Sequence, residues 1–389
     1  MGDPFKTPNP GGALPRAASP FRPGPGKVPP AFGSRTSPLR TAKDIVDRLA
    51  VPSDPVAMPL LRGVRGVGKT ALMAYTRHHA TATGTVALHI EADASDTDLT
   101  ATCRSLLRDA APLTSAVGDL RRRLSSISIT RGELAFHPAE SDRGDITLEA
   151  LLYDLVLLAE HRGVGLLLTV DEVHEAEELL LRPLMRAVHR HAQDARPLGV
   201  MFSGLPGAAR TLLEEGQTYA ERIATYDLGM LDRGGVTAAL DEPFEEHAGV
   251  RVGGDVIDHV LDDTGGYPYF VQLWGEALWT ILPERRDVRL ADVVRAQVLV
   301  DERRDGFFTS RWQRFPRGRA RELARTLADL GSPARMATIA DRLGHADQRP
   351  LSDARATLLA AGHLYAPERG RVAFTVPGFD RWLAEHHDV

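Results

Sequence analysis

Short apolar runs alternate with amphipathic segments along the first 228 residues of the chain. The apolar runs predict strands at 58–62, 85–91, 165–170, 198–203 and 224–228. Apolar positions at helical spacing predict helices at 41–49, 70–79, 99–107 and 181–191. Strands that alternate with helices predict a parallel sheet covered on both faces, which is an α/β fold.

Other stretches depart from this alternation. Residues 126–137 alternate apolar and polar positions, as a β-hairpin insertion would. Residues 1–40 are rich in proline and glycine, which predicts an extended arm. From 229 onward the pattern is helical, and from 301 it is rich in arginine. We therefore divide the chain into the arm, a core over 41–228, a helical region over 229–300 and a C-terminal region over 301–389.

Composition limits the classes to which the chain can belong. Its 389 residues, 43% apolar and 25% charged, are typical of a globular protein of two or three domains. The single cysteine, Cys103, excludes an internal disulfide framework and favours a reducing, cytoplasmic location. The most apolar stretch, 151–170, is interrupted by charged residues, so no membrane span is predicted. Because the net charge is −5, contact with nucleic acid would require a local basic face.

A glycine-rich turn joins the first predicted strand to the helix that follows it. Its residues are Gly63, Val64, Arg65, Gly66, Val67, Gly68, Lys69, Thr70 and Ala71, and the first eight fit the pattern of a phosphate loop. Backbone N–H groups in such a loop converge on the β-phosphate, Lys69 would reach the β- and γ-phosphate oxygens, and Thr70 would bind Mg²⁺. The sequence therefore predicts ATP and Mg²⁺ as ligands.

Two adjacent acids, Asp171 and Glu172, follow the apolar strand at 165–170. At the carboxyl edge of a parallel sheet, Asp171 would hold the metal ion and Glu172 would polarise the attacking water. The next strand ends at Ser203. This hydroxyl would either lie between Glu172 and the γ-phosphate and report its loss, or simply begin a turn. These residues together predict ATP hydrolysis.

Together these motifs resemble those of the AAA+ ATPases. Within that family, the chain is similar to the cluster that includes origin-recognition-like initiators and STAND-type and archaeal-type switch ATPases. The resemblance covers most of the chain, and two further segments carry it, 219–222 before the last strand and 264–269. It implies a P-loop AAA+ core with sheet order 5-1-4-3-2, a small helical lid over 229–300, and self-association or a partner protein.

The resemblance also implies roles for single residues. Arg222 would be an arginine finger that reaches the γ-phosphate in a neighbouring subunit, or else a surface arginine in an ion pair. Pro268 would contact the nucleotide, or else only begin a helix. Val28 and Pro29, near the end of the arm, would lie under the adenine. Residues 267–269 stand where initiators carry a sensor arginine, which favours a switch over a loader.

The C-terminal region has the order of elements found in winged helices. Helical spacing at 319–330, 336–343 and 351–361 precedes two short strands around a basic tip, at 364–365 and 372–374. Such a domain would contact double-stranded DNA through its third helix and its wing, here Arg349, Ser352, Arg355, Thr357, Arg369 and Arg371. Acidic neighbours in both elements leave protein binding as the alternative.

Three functions fit these patterns. The first is a DNA-associated AAA+ ATPase that acts as a nucleotide-controlled switch or assembly factor. The second is a STAND-like signalling or antiphage-defence switch that works through protein partners, and the third is an ATP-bound structural subunit that does not hydrolyse. The arginine-rich C-terminal region favours the first, the acidic net charge favours the second, and the intact pair Asp171 and Glu172 weighs against the third.

Overall fold

The structure of the chain is a computed structural model. It describes residues 19–24, 26–49, 58–93, 99–114, 127–130, 133–136, 145–215, 223–282 and 287–386. These residues group into two compact units. The first contains 36–63 and 69–228, and the second contains 64–68 and 229–386 together with the arm before residue 36.

The first unit is built on a five-stranded parallel sheet. Its strands in chain order are β1 (Met58–Arg62), β2 (Val86–Glu91), β3 (Ile127–Thr130), β4 (Glu133–Phe136), β5 (Asp145–Ile146), β6 (Leu166–Asp171), β7 (Leu198–Gly204) and β8 (Ile223–Asp227). The parallel sheet has the order β2-β6-β7-β1-β8. Renumbered 1 to 5 along the chain without β3 to β5, this order is 2-3-4-1-5. It is the predicted order 5-1-4-3-2 read from the opposite edge, so the prediction is confirmed. Strands β6 and β7 are buried along their whole length because a parallel strand is covered on both faces.

Helices of the first unit cover this sheet. They are α1 (Thr36–Leu49), α2 (Lys69–Ala82), α3 (Thr100–Asp109), α4 (Ala111–Thr114), α5 (Leu148–His161), α6 (Glu178–Gln193) and α7 (Ala208–Glu215). Helix α1 begins five residues before its predicted start, with Pro38 in its first turn. Proline is tolerated there because the first N–H groups of a helix have no acceptor within it.

The predicted hairpin insertion is present. Strand β3 pairs antiparallel with β4, so that Ile127 lies opposite Phe136. A further strand that the sequence did not indicate, β5, pairs with the other edge of β4. These three strands form a sheet of their own.

The second unit is mainly helical. Its elements are α8 (Arg233–Ala248), α9 (Gly254–Thr264), α10 (Pro268–Ile281), α11 (Leu290–Gln313), α12 (Arg319–Leu330), β9 (Ala334–Arg335), α13 (Met336–Arg342), α14 (Ser352–Ala360), β10 (Leu364–Tyr365), β11 (Arg371–Phe374) and α15 (Phe379–Glu385). The three helices and two strands predicted in the C-terminal region are present. Strand β9 adds a third strand, and the antiparallel sheet has the order β10-β11-β9. Helix α11 is continuous across position 300.

The arm contributes to the core of the second unit. Phe21 is 3% exposed and its ring centroid lies 5.3 Å from that of Phe244. Its ring also faces Gly275, where a Cβ atom would come within 2.3 Å of a ring carbon. The backbone N–H of Arg22 donates to Gln272 Oε1 at 3.3 Å. The end of the arm is therefore anchored on helices α8 and α10.

Among the residues that the structure describes, no helix is both long enough and apolar enough to cross a membrane.

Candidate functional site

The glycine loop connects β1 to α2. Gly66 and Gly68 have φ angles of +84° and +97°, in the left-handed region that glycine adopts at little cost. Such turns let successive backbone N–H groups form a concave anion-binding surface. At the start of the loop, the N–H of Gly63 donates to the carbonyl of Gly204 at 3.2 Å, which fixes the loop to the end of β7.

Lys69 and Thr70 open helix α2, where the helix dipole places partial positive charge. Lys69 is 5% exposed, and its Nζ donates to the carbonyl oxygen of Gly63 at 3.0 Å. A buried ammonium group requires acceptors, and this carbonyl supplies one. Thr70 and Ala71 follow and are half-buried. The structure thus places all three residues at the helix N-terminus, as the motif predicts.

Asp171 and Ser203 lie side by side at the carboxyl edge of the sheet. Asp171 is 3% exposed, and its Oδ1 accepts the N–H of Glu172 at 2.8 Å and also the hydroxyl of Ser203. Adjacent parallel strands produce this contact, because Val170 of β6 lies opposite Phe202 of β7. The hydroxyl of Ser203 is therefore bound to Asp171. Its place between Glu172 and a γ-phosphate stays a prediction.

Glu172 adopts an unusual backbone conformation. Its φ and ψ angles are 51° and 37°, in the left-handed region, which costs a non-glycine residue about 1–2 kcal/mol. Its Oε2 lies 3.4 Å from Nδ1 of His174, which also accepts the N–H of Leu205 at 3.3 Å. Nε2 of His174 lies 3.3 Å from Oε1 of Glu175. His174 therefore contacts Glu172, the residue expected to polarise the attacking water.

A polar network lies between α2 and the sheet, close to Asp171. Arg77 Nη1 is 3.1 Å from Nδ1 of His89 and donates to Oγ1 of Thr169 at 3.2 Å. Burial lowers the pKa of Arg77, and the negative charge of Asp171 opposes that shift. Burial, followed by the charge of Arg77, also lowers the pKa of His89. Arg77 thus supplies a partly buried cation near Asp171.

Within the second unit, the end of the arm contacts the loop residues 64–68. Arg35 is 7% exposed, and its Nη2 donates to the carbonyl of Val67 at 3.3 Å and to the carbonyl of Gly229. Burial lowers the pKa of Arg35, and the charge of Asp232 opposes that shift. This buried arginine was not among the predicted site residues.

Tyr267 contacts the same loop from the start of α10. Its hydroxyl donates to the carbonyl of Arg65 at 3.2 Å. Its side chain is 2% exposed, and burial raises its pKa to about 12. In sequence, Tyr267 stood out only because it replaces an expected arginine. Two carbonyl groups of the loop are therefore held by side chains that lie far from it in sequence.

The end of the arm packs on helix α8. Ser34 Oγ donates to Asp232, which caps α8 by accepting the N–H of Gly235 at 2.8 Å. A Cβ atom on Gly33 would lie 1.9 Å from the carbonyl oxygen of Gly235, so the two backbones are in close contact. Val28 and Pro29, earlier in the arm, are half-buried. Their contact with adenine stays a prediction.

The structure places Pro268 at the first position of α10, where proline is favoured. Its contact with the nucleotide stays a prediction. Arg222 and the segment 219–222 lie outside the described residues, so the arginine-finger assignment is also a prediction.

The candidate DNA-contact residues lie on and around α14 and the β10–β11 turn. Ser352, Thr357 and Arg369 are exposed, and Arg355 is half-buried. The side chain of Arg349 is 90% exposed, and its Nε lies 3.5 Å from Asp347. The Nη1 atom of Arg371 lies 3.8 Å from Glu368. Acidic partners therefore reduce the positive charge of this face.

Several arginines between residues 303 and 321 form ion pairs or hydrogen bonds with other residues of the second unit. Arg304 pairs with Asp263, and Arg303 pairs with Glu276. Arg311 donates to the carbonyl of Gly362 at 2.9 Å, and burial lowers its pKa to about 10. Arg304 and Arg311 are therefore engaged within the second unit, whereas the side chain of Arg303 is 55% exposed.

The five-stranded parallel sheet, with the glycine loop at its carboxyl edge, is the P-loop AAA+ fold, and two solved structures share it. The chain is similar to a Walker-type ATPase of Pyrococcus abyssi, with a TM-score of 0.62 and 16% identity over 92% of this chain and 97% of that chain. It is also similar to the ORC2 protein of Aeropyrum pernix, solved as ADPNP–ADP complexes, with a TM-score of 0.59 and 14% identity over 93% and 95% of the two chains. At these identities the likeness concerns the fold.

Sequence comparisons add one match. Residues 305–383 match a family described as "Domain of unknown function (DUF8462)", which covers the end of α11 and the C-terminal helices and strands. Comparison with curated proteins finds no match.

Proposed function

We propose that this chain binds ATP with Mg²⁺, hydrolyses it, and acts as a nucleotide-controlled switch or assembly factor. The observation that carries this proposal is the common edge of the parallel sheet in the first unit. Strands β1, β6 and β7 run parallel, so Asp171 and Ser203 lie at the same edge of the sheet, near the ends of β6 and β7. Helix α2 begins at this edge with Lys69 and Thr70. Ligands of open α/β sheets bind at this carboxyl edge.

The residues at this edge fit magnesium. The hydroxyl of Thr70 and the carboxylate of Asp171 are hard oxygen donors, which Mg²⁺ prefers. Both donors to Asp171, the N–H of Glu172 and the hydroxyl of Ser203, use Oδ1, so neither occupies the second carboxylate oxygen. When bound, Mg²⁺ neutralises charge on the phosphate oxygens. Lys69 adds a second cation, and Glu172 acts as general base toward the attacking water.

Nucleotide binding and steady-state ATP turnover test this proposal. The variant Lys69→Ala is expected to weaken ATP binding about a hundredfold, because a charged hydrogen-bond donor is lost. The variant Glu172→Gln is expected to keep ATP binding and lose at least about a hundredfold in turnover. Lys43→Ala, which changes an exposed lysine of α1, is the control. Unchanged ATP affinity in Lys69→Ala would contradict the phosphate-loop assignment.

The C-terminal region carries the proposed association with DNA. The order helix, strand, helix, helix and two strands supports a winged helix, with α14 as its recognition helix. Arg349 and Arg369 are exposed and available to phosphates. We expect the double variant Arg349→Ala, Arg369→Ala to weaken binding to duplex DNA and to reduce its salt dependence, while the exposed Arg381→Ala of α15 does not. Identical DNA affinity in all three proteins would argue against this face.

A switch that works through a protein partner is the second candidate. Leu290, Val294 and Val298 repeat every four residues along α11 and are 47%, 74% and 67% exposed. Contiguous exposed apolar side chains are more typical of protein interfaces than of DNA contacts. Turnover that duplex DNA does not stimulate would favour this candidate.

A further inference from the structure

We propose that Tyr267 is a positioning residue that fixes the orientation of one peptide group in the phosphate loop. The proposal rests on the proposed nucleotide binding and adds a residue to its machinery. It concerns the peptide between Arg65 and Gly66, whose N–H is one of the donors that a phosphate would meet.

Tyr267 is in close contact with this peptide. Its hydroxyl donates to the carbonyl of Arg65 at 3.2 Å. A Cβ atom on Gly66 would lie 1.8 Å from the hydroxyl oxygen and 2.4 Å from the ring carbon that bears it. The tyrosine therefore occupies the space beside the Gly66 α-carbon that any other side chain would need.

The tyrosine is itself firmly held. Its N–H donates to the carbonyl of Thr264 at 3.1 Å, at the turn that precedes α10. Its ring packs edge-on against that of Phe270, with centroids 5.0 Å apart. A side chain that is 2% exposed and packed in this way has little freedom to move away from the loop.

The orientation follows from peptide geometry. In a planar trans peptide the C=O and N–H bonds point in opposite directions. Because Tyr267 binds the carbonyl of Arg65 on one side of the loop, the N–H of Gly66 points to the other. The carbonyl of Val67 is bound in the same way by Arg35, which orients the N–H of Gly68. Two alternate peptides of the loop are thus fixed through their carbonyl oxygens.

This arrangement prepares the loop for an anion. If the peptide between Arg65 and Gly66 were rotated, its carbonyl oxygen would face the phosphate in place of its N–H group. The carbonyl oxygen carries partial negative charge and the phosphate is negatively charged, so they would repel each other. The hydrogen bond to Tyr267 disfavours that rotation before any ligand arrives, and preorganisation of this kind increases affinity. Because burial raises the pKa of Tyr267 to about 12, the hydroxyl keeps its proton throughout the neutral range.

Tyr267→Phe in the full chain tests the proposal, because it removes the hydroxyl and keeps the ring. We expect the Kd values for Mg·ATP and Mg·ADP to rise about fivefold, the effect of one neutral hydrogen bond. The Kd for adenosine, which has no phosphate, is expected to stay unchanged. Tyr269→Phe, two residues further along and half-buried, is the matched control and should bind all three ligands as the wild type does.

Hydrogen–deuterium exchange provides a readout that does not depend on a nucleotide. Peptides that span residues 63–70 are expected to exchange several-fold faster in Tyr267→Phe than in Tyr269→Phe, because the loop loses its constraint. Equal exchange in the two variants, or an equal loss of affinity for adenosine and ATP, would overturn the proposal. If Lys69→Ala binds ATP as the wild type does, the proposed function fails, and the exchange rates still decide whether Tyr267 holds the loop.

Discussion

Gly66 shows how one position in the phosphate loop is constrained from two directions. Its φ angle of +84° lies where side chains cause strain, and a Cβ atom would collide with the hydroxyl of Tyr267. The general motif does not require glycine at this position, since any residue can occupy the four sites between its two glycines. In this chain the requirement comes from the backbone angle and from the tyrosine.

The first prediction concerns this glycine. Gly66→Ala is expected to weaken Mg·ATP binding at least about tenfold, because the loop must rearrange to accept the methyl group. Gly207→Ala is the control, since a Cβ atom there would meet nothing within 4 Å. Isothermal titration of both variants with ATP measures the difference. Equal affinity would mean that the loop adapts without cost.

The sequence allowed part of the site to be predicted. Gly63 to Thr70 and the pair Asp171 and Glu172 were recognisable because their chemistry depends on residues that are close together in the chain. Tyr267 contacts a loop residue that lies about 200 residues away in sequence, and Arg35 contacts one about 30 residues away. No local pattern marks such contacts. His174 had a local signal, its place two residues after Glu172, but the signal did not specify a partner.

At the scale of elements, the arm illustrates what periodicity cannot indicate. Isolated aromatic residues in a proline-rich segment give no repeating pattern, and yet Phe21 is buried against Phe244 and Trp279. In contrast, β6 and β7 were predictable because strands buried on both faces of a parallel sheet are continuous apolar runs. Strand β5 has two residues, too few to show any alternation.

The second prediction tests the anchoring of the arm. Phe21→Ala is expected to destabilise the second unit by about 3 kcal/mol, the usual cost of removing a buried aromatic ring. Phe21→Leu should cost less because it fills part of the same space. Urea unfolding followed by tryptophan fluorescence reports on this unit through Trp279. An unchanged midpoint in Phe21→Ala would show that the arm does not contribute to its stability.

The third prediction concerns pH. Burial lowers the pKa of His363, before β10, to about 4, and the charges of Arg311 and Arg65 add to the effect. The unfolded chain, with a histidine pKa of about 6.5, then binds more protons than the folded chain between pH 6.5 and 4. The stability that neutral His363 provides is complete above about pH 6.5 and is lost as the pH falls toward 4.

The variant His363→Phe tests this dependence, because phenylalanine keeps a ring that can stack on Phe315, as His363 does at 4.0 Å. Between pH 4 and 7, its free energy of unfolding is expected to fall less steeply than that of the wild type. One unit of pKa shift corresponds to about 1.4 kcal/mol. His191 in α6, whose pKa burial also lowers to about 4, is unchanged in this variant and retains its own contribution. Parallel curves for variant and wild type would contradict the prediction.

At the scale of the whole molecule, we predict that ATP turnover depends on self-association. If Arg222 completes the site of a neighbouring subunit, turnover per subunit should rise with protein concentration. Arg222→Ala is expected to remove that rise and to leave Mg·ATP affinity unchanged. Turnover assays across a range of concentrations, with Glu172→Gln as the blank, measure it. A concentration-dependent rise that persists in Arg222→Ala would exclude this arginine as the finger.

The hydrogen bond between Tyr267 and the carbonyl of Arg65 bears on where the chain could be shortened without loss of a preorganised phosphate loop. A shortened gene that ends after β8 would still encode the glycines, Lys69 and both acids. Its product would lack Tyr267, and the carbonyl of Arg65 would have lost its donor. If Tyr267 positions the loop as proposed, a nucleotide-binding fragment has to extend beyond its motifs, at least to the start of α10.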